Sequence, residues 1–453
     1  MLIRSRREFM KAMVSSVGMA GALGSLGKFG EMNALAGGTD YKALVCIFLA
    51  GGNDCHNTVI PISTAQQNYA QYAGARQTLA LPQASLPTIS NGADIYGLHT
   101  NMPEIAALYN AGNAAIVANT GMLVQPITRA QYLTGNLSIL PGQLFSHSDQ
   151  TNQWQSAIPN GAASLGWGGE LADRVASYNQ GATFSPVTST TGCGLFCTGA
   201  QTFPATVPPS GAASLAGGSK AASLQQLLSF SNGLQLVQAA NANLNRGISY
   251  SNALNAALAS ATIQTSFPSS MLGQQLLTVA KIMKVQQTLG IYRQVFFCLL
   301  DGFDTHGGQL AIQQSLLTDL SQSVSQFYAA TTQELGVGNK VVTFTASEFG
   351  RTLQPNGSPG GGTDHAWGNH HFVISQGAQS GGSLQGGQFF GNFPLLALGG
   401  PNDANTRGTL IPTTSVEQYA ATIASWFGLS PADIAAVFPY LTNFSTSNLG
   451  FLG

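Results

Sequence analysis

Three strongly apolar runs constrain the fold of this chain more than any other feature of its sequence. They cover residues 43–50, 294–300 and 340–346, and each ends directly in glycine or polar residues. Hydrophobic runs of this length are typical of strands buried on both faces of a parallel sheet. Helical patterns at 102–111 and roughly 309–335 lie between such runs. The sequence therefore predicts an α/β fold, with a mostly parallel sheet and helices on both faces.

The composition excludes some classes of partner. The chain has 453 residues, with 17 basic and 18 acidic side chains and a net charge of −1. No basic field is present that would attract nucleic acid or anionic lipid, so we expect no nucleic-acid partner. The length suits one large α/β domain or two smaller ones.

The first 36 residues have the pattern of a twin-arginine signal peptide. Residues 5–11 read Ser-Arg-Arg-Glu-Phe-Met-Lys, a mildly apolar run follows at 12–26, and residues 34–36 offer an Ala-Leu-Ala cleavage site. The run is too short and too rich in Gly and Ser to span a bilayer stably. An amphipathic helix with a chance arginine pair is the alternative. We expect export through the twin-arginine machinery, which leaves a periplasmic or secreted domain at 37–453.

Residues 177–218 are rich in Ser, Thr, Gly and Pro and show little periodicity. This pattern predicts a loop-rich or short-stranded insertion. Outside the cytoplasm, Cys193 and Cys197 could close a small disulfide loop. Cys46 and Cys298 lie within apolar runs and are expected in the core, whereas Cys55 has no assigned role.

Acidic and histidine side chains follow directly on the three apolar runs. The carboxyl ends of parallel strands share one edge, so these groups are expected at a single rim of the sheet. Gathered carboxylates repel one another, and either a cation or protonation must offset that repulsion; the histidines among them favour a divalent metal. Asp, Glu and neutral imidazole are usual ligands of zinc, manganese and iron, and two ions fit the ligand count better than one. The predicted metal ligands are Asp54, Asp304, His306, Glu348, Asp364 and His365.

Each predicted ligand also has a purely structural interpretation. Asp54 could hydrogen-bond its own turn, and Glu348 could form a local ion pair with Arg351. Asp304 and His306 could cap the helix that starts soon after them. Asp301 competes with Asp304, and of the adjacent pair at 370–371 at most one histidine is expected to be a ligand.

The segment Leu-Phe-Ser-His-Ser-Asp at 144–149 contains a candidate nucleophile. Ser146 beside His147, with Asp149 nearby, has the residue types of an activated hydroxyl, and Thr58 is a weaker rival. A Gly-x-Ser-x-Gly elbow is not evident, which disfavours a serine esterase of the α/β-hydrolase type. Arg351 is suited to gripping a phosphate or sulfate bidentately.

Four motifs behind the leader resemble a bacterial domain-of-unknown-function family, number fifteen-oh-one. They are Gly-Gly-Asn-Asp at 51–54, Gly-Phe-Asp-Thr-His at 302–306, Ser-Glu-Phe-Gly-Arg-Thr at 347–352 and Gly-Thr-Asp-His at 362–365. The resemblance covers nearly all of the chain after the leader. It implies the alkaline phosphatase and sulfatase-like superfamily, with two metals at the strand ends and a metal-bound nucleophile.

The resemblance carries over to the same six ligand positions, with two departures. Phe349 stands where the superfamily usually has the histidine of its second metal. No Cys-x-Pro-x-Arg signature surrounds any cysteine, so a formylglycine nucleophile is not supported.

Two hypotheses about function follow. The first is an exported hydrolase of phosphate or sulfate esters that uses one or two divalent ions, such as zinc, manganese or calcium. The second is a non-catalytic secreted protein that retains the fold and binds a surface glycan or assembles outside the cell. Phe349 or Trp367 filling the rim would favour the second. A copper or redox site at Cys55 and His56 is a remote third.

Overall fold

The computed structural model describes residues 40–211, 223, 224, 226, 228, 229 and 234–453. The proposed signal peptide at 1–36 lies outside these residues. Residues 42–453 form one unit.

Among the described residues, the larger sheet contains nine strands, and its centre is made by the three apolar runs. The strands are β1 (Lys42–Ala50), β5 (Ala114–Gly121), β6 (Val187–Ser189), β7 (Ala205–Thr206), β8 (Arg293–Asp301), β9 (Val341–Ala346), β10 (Asn369–Ile374), β11 (Phe389–Phe390) and β12 (Thr414–Ser415). Their order is β11-β5-β10-β9-β1-β8-β6-β7, and β12 pairs with β5. A smaller antiparallel sheet has the order β2-β4-β3, formed by β2 (Val59–Ser63), β3 (Thr88–Asn91) and β4 (Asp94–Leu98).

Most pairings in the larger sheet are parallel. Strand β1 lies between β8 and β9 and runs parallel to both. Strand β10 runs antiparallel to β5 and to β9. The predicted fold class is confirmed, with one reversed strand inside the sheet.

Helices cover both faces of this sheet. The described helices are α1 (Cys55–Thr58), α2 (Tyr69–Arg76), α3 (Pro103–Asn110), α4 (Arg129–Leu133), α5 (His147–Ser156), α6 (Trp167–Arg174), α7 (Gln235–Leu258), α8 (Met271–Lys284), α9 (Gln286–Leu289), α10 (Gln309–Ala329), α11 (Val416–Phe427) and α12 (Pro431–Val437). Helices α6 and α11 share a core with one face of β1, and α8 contacts β8. Residues on the opposite face of β1, such as Val45 and Ile47, are equally buried. Among the described helices, none has the length and apolar character needed to cross a membrane.

Part of the 177–218 stretch joins the sheet. Strand β6 pairs with β8, and β7 extends the edge beyond β6. The short-stranded alternative thus describes residues 187–189 and 205–206, whereas residues 212–222 lie outside the described part of the chain. Cys193 and Cys197 are free thiols in the structure.

Candidate metal centre

The carboxyl ends of β8, β1 and β9 form one rim, and glycine allows their loops to approach closely. Gly51 directly follows β1 with a φ of +114°, and a Cβ there would clash with the backbone nitrogen of Asp304. The Gly51 N–H donates to Oε1 of Glu348 at 2.8 Å. Phe303 N–H donates to the Ala50 carbonyl at 3.0 Å, which folds the loop after β8 back over the end of β1. The loops that carry Asp304 and Glu348 therefore meet, as the strand order requires.

Three imidazole nitrogens and one carboxylate oxygen converge beside this rim. Asp304 Oδ1 lies 3.1 Å from His306 Nε2, 3.4 Å from His365 Nε2 and 3.6 Å from His147 Nε2. His365 Nε2 is 3.0 Å from the Nε2 atoms of both His147 and His306. We call Asp304 Oδ1 and these three Nε2 atoms the four-atom cluster. One ligand atom from each of His147, Asp304 and His365 lies within 4.8 Å of the other two, and His306 is not part of this set.

The other ring nitrogen of each histidine, Nδ1, contacts an oxygen atom of a carboxylate or a carbonyl, and such an oxygen accepts a hydrogen bond but cannot donate one. His147 Nδ1 lies 2.9 Å from Glu348 Oε1, and His306 Nδ1 lies 3.2 Å from Asp364 Oδ1. His365 Nδ1 lies 2.8 Å from the Phe145 carbonyl. These acceptors assign the ring proton to Nδ1 and leave a lone pair on Nε2 directed at the four-atom cluster.

This donor set fits a divalent metal ion. Lone pairs that face one another at 3.0 Å repel unless a cation or a proton lies between them, and one proton can serve only one such contact. Zinc binds nitrogen and carboxylate oxygen at roughly 2.0–2.2 Å in a tetrahedron, which separates the ligand atoms by about 3.3 Å. The five separations given above, 3.0–3.6 Å, bracket that spacing. His306 Nε2 has this spacing only to Asp304 and His365, so the set that fits one ion is His147, Asp304 and His365, with His306 beside it.

The surroundings shift the pKa values of the cluster in different directions. Burial raises the pKa of the Asp304 carboxyl, but the hydrogen bond and charge of Arg351, together with His306 and His147, outweigh it, so the pKa lies below its usual value. The hydrogen bond to Glu348 raises the pKa of His147, and burial lowers the pKa of His365. Asp304 and His306 are 48% and 46% exposed at their side chains, so a ligand from solvent can reach the cluster.

Five of the six predicted ligands lie in or next to this centre, and Asp54 does not. Asp304, His306 and His365 supply cluster atoms, whereas Glu348 and Asp364 hold the outer nitrogens. Asp54 is 2% exposed, pairs with the buried guanidinium of Arg76 and accepts a hydrogen bond from Gln309. Its Oδ1 also accepts the His56 N–H and caps α1. Because Arg76 already neutralises this carboxylate, we leave Asp54 out of the ligand set.

The predicted catalytic residues take different places. His147 is expected from sequence beside Ser146, but its Nε2 belongs to the four-atom cluster. Ser146 Oγ donates to Asp149 Oδ2 at 2.5 Å, and no triad with His147 is formed. Thr58 Oγ1 donates to the Asp54 carbonyl at 2.7 Å within the α1 turn.

Arg351 is fully buried, and its hydrogen bonds serve the framework of the site. Its Nη1 donates to Asp304 Oδ1 at 2.9 Å and to the Gly51 carbonyl at 3.1 Å. Its Nε and Nη2 donate to the hydroxyl and carbonyl of Thr363. The guanidinium thus positions Asp304, and we no longer assign it to gripping an anion.

The other residues considered from sequence as metal ligands, Asp301, His370 and His371, lie outside the cluster. Asp301 is exposed and accepts a hydrogen bond from Gly302 N at 2.7 Å, so Asp304 is the carboxylate that reaches the cluster. His370 and His371 are fully buried in β10, and burial lowers the pKa of each to about 3. Helix α10 is preceded by Gly308, so neither Asp304 nor His306 caps it.

Phe349 and Trp367, the two aromatic residues that could have filled the rim, do not occupy the space between the ligand atoms. Phe349 is buried with its ring centroid 4.8 Å from that of His147 and 4.7 Å from that of His365, so it supports both imidazoles. Trp367 packs in a separate cluster and donates to the Met122 carbonyl at 2.8 Å.

The roles of two residues of the site were not identified from sequence. From sequence, His147 is assigned to catalysis rather than to the metal, and the one sequence signal for its role as a ligand is its position at the first residue of a helix, after a polar loop. Arg407, whose Nη1 lies 2.5 Å from Asp364 Oδ2, stands in a polar segment with no motif around it.

Comparisons with known proteins agree with the family expected from sequence. The model of a family described as "Protein of unknown function (DUF1501)" matches residues 41–432. A search of curated proteins gave no match.

Similar solved structures include enzymes of the alkaline phosphatase and sulfatase kind. The lipoteichoic acid synthase LtaP from Listeria monocytogenes is 8% identical, with a TM-score of 0.34, over 86% of this chain and 73% of that one. The PsFucS1 sulfatase from Pseudoalteromonas sp. is 10% identical, with a TM-score of 0.32, over 93% and 72%. A mutant of TAB5 alkaline phosphatase with Mg bound is 9% identical, with a TM-score of 0.28, over 75% and 92%. At these scores the likeness carries no argument about the site or its reaction.

Proposed function

The chain belongs to the DUF1501 family of proteins of unknown function, and from that premise we propose its activity from the site alone. We propose that it is an exported hydrolase of phosphate or sulfate esters that uses a single divalent ion. The observation that carries this proposal is the four-atom cluster, in which three Nε2 lone pairs and one carboxylate oxygen face one another. His147, His365 and Asp304 would hold the ion, with His306 beside them, and zinc suits this donor set best.

The charge of the site favours an anionic substrate. Asp304 and the two carboxylates that hold the cluster histidines, Glu348 and Asp364, contribute three negative charges. Arg351 and Arg407, which pair with them, contribute two positive charges, so a divalent ion brings this set from −1 to +1; Asp149, which is hydrogen-bonded to Ser146, lies outside the set. A site with net positive charge and half-exposed side chains attracts ester anions from solvent. The uncharged imidazoles add no further charge to this sum.

Each part of the chain has a defined task in this proposal. A divalent ion at the cluster supplies Lewis-acid stabilisation of the negative charge that develops on the ester oxygens. Glu348 and Asp364 fix the orientation of two ligand imidazoles, and Arg351 fixes Asp304. Ser146 lies between Phe145, whose carbonyl accepts from His365 Nδ1, and the cluster residue His147, and its hydroxyl donates a hydrogen bond to Asp149. We keep Ser146 as the proposed nucleophile for this reason.

A second function is favoured by the number of ligands. With His306 as a fourth ligand, the protein would complete the tetrahedral coordination of zinc, which is the usual condition of a structural site. This number of ligands fits a secreted binding or assembly protein, which would hold one ion and catalyse no reaction. It differs from the first proposal in one measurable respect, because it retains the ion and shows no ester hydrolysis.

Export rests on the sequence of residues 1–36. We propose that twin-arginine export delivers the protein to the periplasm or beyond. Fusing these residues to a reporter that fluoresces only after export in the folded state tests this, with the arginine pair at 6–7 changed to lysines as the control. Export that is unaffected by the lysine pair contradicts the assignment.

Metal analysis of the exported full chain tests the function. We expect one divalent ion per chain and hydrolysis of p-nitrophenyl phosphate or p-nitrophenyl sulfate. Asp304→Asn should lose the ion, because Asp304 supplies a cluster atom. Asp301→Asn is the matched control, three residues away and exposed, and should retain it. A protein that carries no ion and gains no activity from added zinc, manganese or calcium would refute the proposal.

The nucleophile has its own comparison. Ser146→Ala should abolish turnover without loss of the ion. Ser148→Ala is the control, because Ser148 Oγ lies 3.3 Å from the same Asp149 Oδ2 and 3.3 Å from Ser146 Oγ. Equal activity of the two variants would remove Ser146 from the mechanism.

A further inference from the structure

Arg407 is the second cation of the site, and it differs from Arg351 in exposure. Its Nη1 pairs with Asp364 Oδ2, and Asp364 Oδ1 in turn lies 3.2 Å from His306 Nδ1. A continuous series of contacts therefore leads from Arg407 through Asp364 to the four-atom cluster. The Arg407 side chain is 38% exposed, whereas that of Arg351 is 0% exposed. Only Arg407 of the two can meet a molecule that arrives from solvent.

The guanidinium of Arg407 retains donors for such a molecule. Its Nη2 makes one long contact, 3.5 Å, to the Pro355 carbonyl, and its Nε has no recorded partner among the described residues. The donors of Arg351, in contrast, are taken by Asp304, Gly51 and Thr363. Nε and Nη2 are adjacent, and a planar guanidinium that presents such a pair of donors, one of them held only by a 3.5 Å contact, matches two oxygens of a tetrahedral oxyanion.

The loop that carries Arg407 is fixed from within. Asp403 is 1% exposed, and its carboxylate accepts four backbone N–H groups at 2.8–3.0 Å, from Gly399, Asn405, Gly408 and Thr409. Asn405 Oδ1 accepts the Arg407 N–H at 2.7 Å. The Arg407 carbonyl accepts from Gln354 N at 3.0 Å, which ties the loop to the segment after β9. A guanidinium on such a backbone loses little conformational entropy when it binds a ligand.

We propose that Arg407 is the specificity-determining residue that binds the oxyanion of the substrate. The ligand is the tetrahedral phosphate or sulfate group of an ester, with two of its oxygens on the guanidinium and a third directed to the metal centre. This inference rests on the proposed function for the reacting centre and adds the group that recognises the substrate. It also explains why the site holds two arginines, because one orients Asp304 and the other meets the anion.

A purely positioning role for Arg407 makes a different prediction. If Arg407 only held Asp364, its replacement would loosen His306 and weaken metal binding. Anion affinity would then fall only in proportion to the loss of metal. If Arg407 binds the anion, its loss weakens anion binding while the metal content stays the same. Metal content and anion affinity must therefore be measured on the same samples.

Isothermal titration of the full exported chain with inorganic phosphate, and separately with sulfate, tests the proposal. Zinc-loaded wild type, Arg407→Gln and Arg407→Lys are compared, with the zinc content of each determined. Arg174→Gln is the matched control, because the Arg174–Asp433 pair has similar exposure, 42% and 33%, to the 38% and 36% of Arg407–Asp364. We expect Arg407→Gln to bind oxyanion about 10–100-fold more weakly at unchanged zinc content, as for the loss of a charged hydrogen bond. Arg407→Lys should recover part of that loss, and the stronger of the two wild-type titrations identifies phosphate or sulfate as the preferred group.

Several outcomes overturn the proposal. Unchanged oxyanion affinity in Arg407→Gln, absence of oxyanion binding by the wild type, or loss of affinity that only follows loss of zinc each refute it and leave the metal centre standing. Conversely, phosphate binding that depends on Arg407 in a protein that takes up no metal supports this inference and refutes the proposed hydrolase.

Discussion

Glu417 provides a test of how burial controls stability in this fold. It lies in the first turn of α11, is 1% exposed, and accepts the Tyr440 N–H through Oε1 at 3.0 Å. Its Oε2 is buried with no hydrogen-bond partner among the described residues. Burial raises the pKa of this carboxyl from 4.5 to about 8. The helix N-terminus favours the ionised form by only about 0.3–1 kcal/mol, so burial dominates.

The direction of the pH dependence follows from proton binding in the two states. Between pH 4.5 and about 8, the folded chain retains the Glu417 proton and the unfolded chain has lost it. The unfolded state then binds fewer protons, so the free energy of unfolding falls as pH rises through this window. At pH 7 the window spans 2.5 units, and at 1.36 kcal/mol per unit the loss is about 3 kcal/mol.

Replacing Glu417 by Gln removes this dependence while preserving the shape of the side chain. We expect Glu417→Gln to be more stable than the wild type by about 3 kcal/mol at pH 7 and nearly equal to it at pH 4. Urea unfolding at pH 4, 5.5 and 7 measures the difference between the two proteins. Glu104→Gln, the same change at a half-buried carboxylate in α3, controls for the removal of one charge. A difference that does not grow between pH 4 and pH 7, or a variant less stable at pH 7, would refute the reasoning.

Three further substitutions test the rim and its support. Gly51→Ala should displace the backbone of Asp304 and lower the zinc content measured by elemental analysis; full zinc occupancy would show that the close approach is not required. Asp54→Asn leaves the buried guanidinium of Arg76 without its counter-charge and should cost about 3–5 kcal/mol in urea unfolding, and a loss under about 1 kcal/mol would contradict the buried pair. Phe349→Ala removes the ring beneath two imidazoles and should cost about 3–5 kcal/mol together with metal affinity; unchanged zinc affinity would mean that the ring does not support them.

The strands that position the site could be predicted because their signal is local. Strands β1, β8 and β9 are apolar on both faces, and a buried parallel strand leaves that pattern in the sequence. The direction of β10 could not be predicted, because a buried strand has the same hydrophobic pattern whether it runs parallel or antiparallel. Strands β7 and β11 could not be predicted either, because two residues are too few to show an alternation of apolar and polar side chains.

The site could be predicted in part for a related reason. Asp304 and Glu348 follow their strands closely, so the shared edge of the sheet brings their loops together. His147 and His365 are 218 residues apart, and their contact depends on how α5 packs rather than on any spacing. Arg351 and Arg407 have the same chemistry, and their different exposures, 0% and 38%, arise from tertiary packing that leaves no signal in the local sequence around either residue.

The four-atom cluster has a consequence for how the protein is made. Its atoms come from the start of α5, from the loop after β8 and from the segment before β10, so a chain in which any one of these is out of place has no complete centre. Occupancy by an ion then reports that folding has finished. Under the proposed export in the folded state, metal uptake would act as a quality check, separating molecules ready for transport from those still being assembled.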